Sequence, residues 1–255
     1  MSGAQAEKVP ERLWAQRAAW DGRPLLRAIY AEWFERITQQ LSRAEGPTIE
    51  LGCGIGAYKA FRAETVATDV VATPWTDAVV DAQRLPYPDS SVANLVLIDV
   101  LHHLPRPGRF LAEAERALRP GGRVVMVEPY CSPISTPLYR IFHSERTDLR
   151  VDPFGEREQS DRDPFESNQA LPTLIFWRHL ERFRALHPRL EVVRRERFAL
   201  IAYPLSGGFS GRQLVPHRLL AVLRLAERVS RPLAPLAAFR CLVTLEKLTL
   251  PRRRT

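Results

Sequence analysis

The stretch Thr48-Ile-Glu-Leu-Gly-Cys-Gly-Ile-Gly56 decides how this chain folds. Its first four residues form a short apolar run with the length and flanks of a buried strand, and Gly46-Pro47 stops the helical segment before it. Gly52, Gly54 and Gly56 then recur at every second position, one residue short of the GxGxxG turn that seats a pyrophosphate on a helix N-terminus. An acid, Glu50, precedes them. A carboxylate there repels a pyrophosphate and suits the ammonium of an amino-acid moiety. Taken alone, the motif is equally a tight turn with incidental glycines.

Further strand-like runs follow at Thr65–Thr68, ending in Asp69, and at Asp77–Val80, ending in Asp81. Val92–Ile98 is nearly continuous apolar sequence, as in a strand covered on both faces, and ends in Asp99. Pro107–Leu118 reads as an amphipathic helix with proline in its first turn, ended by Arg119-Pro120-Gly121-Gly122. Arg123–Val127, closed by Glu128-Pro129, is the next buried strand. Strands alternating with helices through short turns predict a parallel sheet with right-handed crossovers. Only Val70–Thr76, with Pro74 inside it, joins the second strand to the third, so that crossover is a loop or single turn.

The four acids Glu50, Asp69, Asp81 and Asp99 thus fall along one rim of the sheet, where open α/β folds bind ligands. Asp69 is placed to accept hydrogen bonds from ribose hydroxyls, and Asp81-Ala82 to read an adenine edge. The ligand implied is a cationic nucleoside without phosphates.

Residues 48–129 resemble the core of the class I S-adenosylmethionine-dependent methyltransferases of the small-molecule and lipid type. Ile49–Gly56 is similar to that family's first motif, Asp81-Ala-Gln-Arg-Leu-Pro-Tyr87 to its adenine-binding segment, Asp99-Val-Leu-His-His-Leu104 to its post-fourth-strand segment, and Leu118–Val125 to its turn before the fifth strand. The resemblance implies an α/β, Rossmann-like fold with a mostly parallel seven-stranded sheet, helices on both faces, and a second crossover helix shortened or missing. It implies S-adenosyl-L-methionine as cofactor, bound by Glu50, Gly52, Cys53, Gly54, Gly56, Asp69, Val70, Asp81, Ala82, Asp99 and Val100. His102 and His103 follow the fourth strand where a methyl group is expected, and His103 is favoured as a general base.

In the rest of the chain, residues 11–43 read as helical, 130–170 as an excursion with little regular structure, 174–186 as helix, 190–203 as strand, 214–229 as an amphipathic helix and 242–248 as a last strand. One domain over 1–255 is expected, with a helical cap (1–46), a donor-binding core (47–129), a lid-like insertion (130–170) and a C-terminal part (171–255). His143-Ser-Glu145-Arg-Thr-Asp148 has metal-ligand residue types but no matching pair elsewhere in the sequence. It reads as a hydrogen-bonded loop over the site, with His143 a further catalytic candidate and no metal expected. Tyr130, Tyr139 and Arg140 are candidates to line an acceptor pocket, and Trp14 and Tyr30 to close over the donor.

Net charge +8 is nearly all arginine, since Lys8, Lys59 and Lys247 are the lysines, a skew typical of GC-rich coding. It therefore chooses no polyanionic partner. Nucleic-acid amino-group methylation calls for an Asn/Asp-Pro-Pro-Tyr-like segment where Asp99-Val-Leu-His stands, so no nucleic acid is expected. The alternatives to the main reading are an RNA or other nucleic-acid methyltransferase and a non-catalytic nucleoside-binding protein of the same fold. Cys53, Cys131 and Cys241 are too far apart for a CxxC site. With no apolar leader in Met1–Arg12, a cytoplasmic location is expected, with peripheral contact at the inner membrane through residues 214–229 and a homodimer as further expectations. The expected acceptor is a small or lipid-like molecule.

Overall fold

A computed structural model describes residues 10–143, 145–155 and 167–249; Arg252–Arg254, Ser144 and most of Met1–Arg12 lie outside these. Helices α1 (Glu11–Gly22) and α2 (Pro24–Thr38) replace the single helical segment read from 11–43. The break falls at Arg23, because a residue before proline is pushed out of helical geometry and Pro24 opens the next helix. Then follow β1 (Thr48–Leu51), α3 (Ala57–Phe61), β2 (Val66–Asp69), β3 (Ala78–Val79), β4 (Val92–Ile98), α4 (Pro107–Ala117) and β5 (Leu118–Pro129). No helix separates β2 from β3, in keeping with the shortness of that crossover.

The C-terminal part contains α5 (Ser135–Phe142), α6 (Leu171–Thr173), a π turn (Leu174–Arg178), α7 (Leu180–Leu186), β6 (Leu190–Phe198), α8 (Ala202–Ser206), α9 (Leu220–Ser230), α10 (Ala234–Ala237) and β7 (Arg240–Lys247). Two expectations are corrected. The 130–170 excursion holds a helix, α5, whose Ser135 and Tyr139 are buried. The strand read over 190–203 stops at Phe198, because Ala199 adopts a left-handed backbone (φ +61°) that ends the ladder.

The seven strands order as β3-β2-β1-β4-β5-β7-β6. β1 to β5 run parallel, and β7 is antiparallel to both β5 and β6. β4 alternates by period two: Leu95 and Leu97 pack with Phe110, Phe176 and Phe183 on one face, and Val96 packs with Leu26, Trp33 and Phe34 of α2 on the other. Both faces are dry, which is why β4 reads as nearly continuous apolar sequence.

All strands that end in candidate acids therefore end on the same rim, and antiparallel β7 begins there. At the opposite edge of the sheet, Arg116 at the C-terminal end of α4 holds the segment between β3 and β4 by donating to the carbonyl oxygens of Leu85 (3.0 Å) and Tyr87 (2.7 Å), while Glu113 accepts from the Leu85 amide at 2.8 Å. The same C-terminal end of α4 is held by Lys247, whose buried amine donates to the carbonyl oxygens of Leu118 (2.6 Å) and Arg116 (3.3 Å). These are carbonyls at the C-terminal end of the helix, where a cation also meets the negative end of its dipole. Replacing Lys247 by methionine keeps the stem and removes these bonds. Lys247→Met should lower stability by about 1–3 kcal/mol in urea unfolding, and an unchanged midpoint would contradict this role.

Candidate active site

The rim is built first from backbone. After β1 the chain turns through Gly52, Gly54 and Gly56, all with φ near the left-handed region (+70°, +50° and +68°). A Cβ on Gly52 would meet Val100 Cγ2 at 2.5 Å, and one on Gly56 would meet Trp75 Cβ at 2.7 Å. Gly54 faces open space. The loop is thus pressed between Val100 and Trp75 and leaves its middle free for a ligand to approach the backbone. Asp69 holds this shape: its carboxylate accepts from the Gly54 amide at 2.9 Å and the Val71 amide at 3.1 Å. Asp81 lies exposed and accepts from the Gln83 amide at 2.8 Å, with Ala82 buried beneath it. Val70 is largely exposed beside Asp69.

Glu50 is 3% exposed, and its Oε2 has no hydrogen-bond partner. Burial and then the nearby charge of Asp69 push its carboxyl up to about 8, offset in part by the Lys59 backbone N–H. An unpartnered buried carboxyl oxygen is costly unless a ligand supplies the donor. Cys53, buried in the same loop, has its thiol pushed up to about 12 by burial, so it is no nucleophile at neutral pH.

Asp99 follows β4 at the rim, as expected, and meets other side chains there. It has a left-handed backbone (φ +59°), and its carboxylate pairs with the guanidinium of Arg240 and accepts from Tyr30 Oη at 3.3 Å. Arg240 in turn lies 4.5 Å from the Tyr203 ring centre and 5.6 Å from that of Trp33. Asp99 therefore has its charge matched within the protein. Tyr30 reaches the site through Asp99, while Trp14 sits edge-on to Trp75 at 5.1 Å, outside the glycine loop.

Beyond β4, Val100 and a 3-10 turn (Leu101–His103) are held by buried Glu128 at the end of β5. Its Oε1 accepts from the Val100 (2.9 Å) and Leu101 (2.7 Å) amides, and its Oε2 lies 2.7 Å from His102 Nδ1. His102 Nε2 lies 3.4 Å from Glu145 Oε2. Although burial alone would lower it, these two carboxylates raise the His102 imidazole to about 10. Burial, and then the charge of His102, lower His103 to about 4, so it is neutral. His103 Nε2 is 4.0 Å from Glu145 Oε1, and its Nδ1 is buried without a partner.

Glu145 also accepts from Arg12 (3.1 Å) and Gln169 (3.1 Å), and His143 Nδ1 lies 3.8 Å from it. The loop read as lying over the site thus meets the His102-His103 pair directly. Asp148 points away, pairing with Arg146 and Arg150. Tyr130 is buried, packing edge-on to Trp177 at 5.0 Å, Tyr139 donates to the Phe239 carbonyl, and Arg140 is exposed with its Nε on the Thr147 carbonyl. Glu128, Arg240 and Trp75 went unread in the sequence. Glu128 alone had a signal, being an acid at the end of a parallel strand like Asp69 and Asp99.

Residues 49–126 match the family described as Methyltransferase domain. A probable S-adenosylmethionine-dependent methyltransferase of Mycolicibacterium smegmatis is 33% identical over 146 residues, 49% of this chain and 53% of that protein. The 27-O-demethylrifamycin SV methyltransferase of Amycolatopsis mediterranei is 31% identical over 147 residues, 46% of this chain and 52% of that protein. The chain spans about half the length of the curated relatives it matches. A solved S-adenosylmethionine-dependent methyltransferase from Archaeoglobus fulgidus shares the fold with a TM-score of 0.51 at 15% identity, over 87% of this chain and 94% of that one. Residues 49–126 are thus similar to a methyltransferase domain, and the chain has the fold of an S-adenosylmethionine-dependent methyltransferase.

The rim fits that cofactor on its own evidence, since a buried unpartnered carboxyl oxygen belongs to the strand that leads into the glycine turn, with open space at Gly54. Because the Glu50 carboxyl titrates near 8 rather than near 4.5, the folded chain holds its proton more tightly than the unfolded chain. That contribution to stability is full below about pH 4.5 and is lost as pH rises to about 8. Donor binding runs the other way, because an ammonium pairs with the ionised form. Glu50→Gln should melt higher than the parent at pH 8.5 while binding S-adenosylhomocysteine at least about tenfold more weakly. Equal melting and equal affinity would refute the assignment.

Proposed function

We propose that this chain transfers the methyl group of S-adenosylmethionine to an O, N or C atom of a small or lipid-like acceptor. The buried Glu50 carboxyl, unpartnered beside the glycine cradle, is the observation that carries the reading. The donor supplies an electrophilic methyl on a sulfonium, and in-line displacement asks the protein mainly for positioning and a dry site. Glu50 takes the ammonium, and the backbone of Gly52, Cys53, Gly54 and Gly56 lines the amino-acid end. Asp69 keeps acceptor capacity for ribose hydroxyls beyond its two amide bonds, with Val70 beside it. Asp81 and Ala82 flank the adenine end, Val100 backs Gly52, and Asp99 acts through Arg240 and Tyr30 to hold the rim.

A protonated nucleophile needs a proton acceptor. Both nitrogens of His102 are engaged by Glu128 and Glu145, so His102 positions its neighbours. Neutral His103 is the group left to interact with an acceptor, and His143 the next. The relatives named for 27-O-demethylrifamycin SV and for ubiquinone/menaquinone C-methylation support an acceptor of small or lipid-like chemistry. Asp69→Ala should weaken S-adenosylmethionine binding at least about tenfold in isothermal titration. Absence of binding by the unaltered chain would overturn the reading.

Peripheral membrane contact is part of the same proposal. Val222, Leu225, Val229, Leu233 and Leu236, three or four residues apart across α9 and α10, are each more than half exposed. Arg218, Arg224 and Arg228 are exposed on the same segment, the pattern of an in-plane helix on an anionic surface. No helix among the described residues is long and apolar enough to cross a membrane. The chain should co-float with vesicles containing anionic lipid, and Val222→Glu with Val229→Glu should abolish this. A dimer in sedimentation that dissociates with the same substitutions, without vesicle binding, would assign the stripe to a second copy instead.

A further inference from the structure

We propose that His102, His103 and Glu145 form a binding site for a divalent transition-metal ion of the kind that imidazole favours, such as zinc or ferrous iron. In location the proposal rests on the methyl-transfer reading, because the site adjoins the end of β4; metal binding itself does not depend on it.

Three ligand atoms converge. His102 Nε2 lies 3.4 Å from one Glu145 oxygen and His103 Nε2 lies 4.0 Å from the other. The three residues' ligand atoms all fall within 4.8 Å of one another. Bonds of roughly 2.0–2.2 Å to nitrogen and oxygen put ligand atoms on the order of 3–3.5 Å apart, so only a small inward movement closes the set. Two imidazoles and one carboxylate match the composition of facial sites, which leave positions open for a further ligand.

The surroundings have the form of a supporting shell. Buried Glu128 sits 2.7 Å from the other nitrogen of His102, the carboxylate–imidazole arrangement that orients a ligating histidine. Gln169 and Arg12 each hold one oxygen of Glu145 at 3.1 Å. His103 and His143 each have a buried Nδ1 without a partner. His143 Nδ1 is 3.8 Å from Glu145 and stands outside the three-atom set, on its edge. The proton on His102 Nε2 passes to solvent when the ion binds. The ion's open positions would face an acceptor oxygen or nitrogen, holding it beside the rim.

The test uses the whole chain, stripped with a chelator and titrated with Zn²⁺ by calorimetry and with Co²⁺ by visible absorption. One ion per chain is expected, with affinity reduced at least about a hundredfold in Glu145→Gln and His103→Gln, and about ten- to a hundredfold in Glu128→Gln. His217→Ala, an exposed histidine outside the site, should bind as the parent does. S-adenosylhomocysteine titration of each variant reports folding and the donor site separately. Donor-binding protein that takes up neither metal, or uptake that survives both Glu145→Gln and His103→Gln, would overturn the proposal. Metal uptake without donor binding would sustain it and refute the methyl-transfer reading.

Discussion

A carboxylate taken out of water must find donors, give up its charge or wait for a ligand, and the sheet rim shows all three outcomes. Glu128 is 1% exposed and has two backbone amides and an imidazole, which hold it below the usual carboxylate range against the pull of burial. Asp99 meets Arg240 and Tyr30. Glu50 has an oxygen with nothing, and its carboxyl is pushed up accordingly. The difference between these three acids lies in the partners that the protein itself supplies to each.

The fold supplies this difference mechanically. Parallel strands β1, β2 and β4 deliver their ends to one rim, and the reversal at β7 brings Arg240 back to it from late in the chain. Glu128 then ties the turn after β4 to the end of β5, so that Val100 presses on Gly52 from a fixed position. The glycine loop is thereby set by packing on one side, Trp75 on the other, and Asp69 through the Gly54 amide. Little of it remains to be ordered when a ligand arrives, which lowers the entropy cost of binding.

Much of the core was legible because its signals are local. β1 and β4 coincide with Thr48–Leu51 and Val92–Ile98, since strands buried on both faces are mostly apolar and are bounded by turn residues. The missing second crossover helix followed from the few residues between β2 and β3. What escaped depends on contacts distant in sequence. Nothing near Asp99 announces Arg240, 141 residues away, and nothing near His102 announces Glu145. The loop around Glu145 looked short of a partner pair because its partners follow β4. Helix α5 was hidden by Pro133 and Pro137, and the end of β6 by a positive φ at Ala199, a residue that gives no warning of one.

The central claim is that Glu50 and Asp69 are the two charged walls of a donor site. A crystal structure of the chain with S-adenosylhomocysteine tests it most directly. The amino group should lie within hydrogen-bond distance of Glu50 Oε2 and the ribose hydroxyls should meet Asp69. A nucleoside bound elsewhere on the chain, with Glu50 still unpartnered, would contradict it.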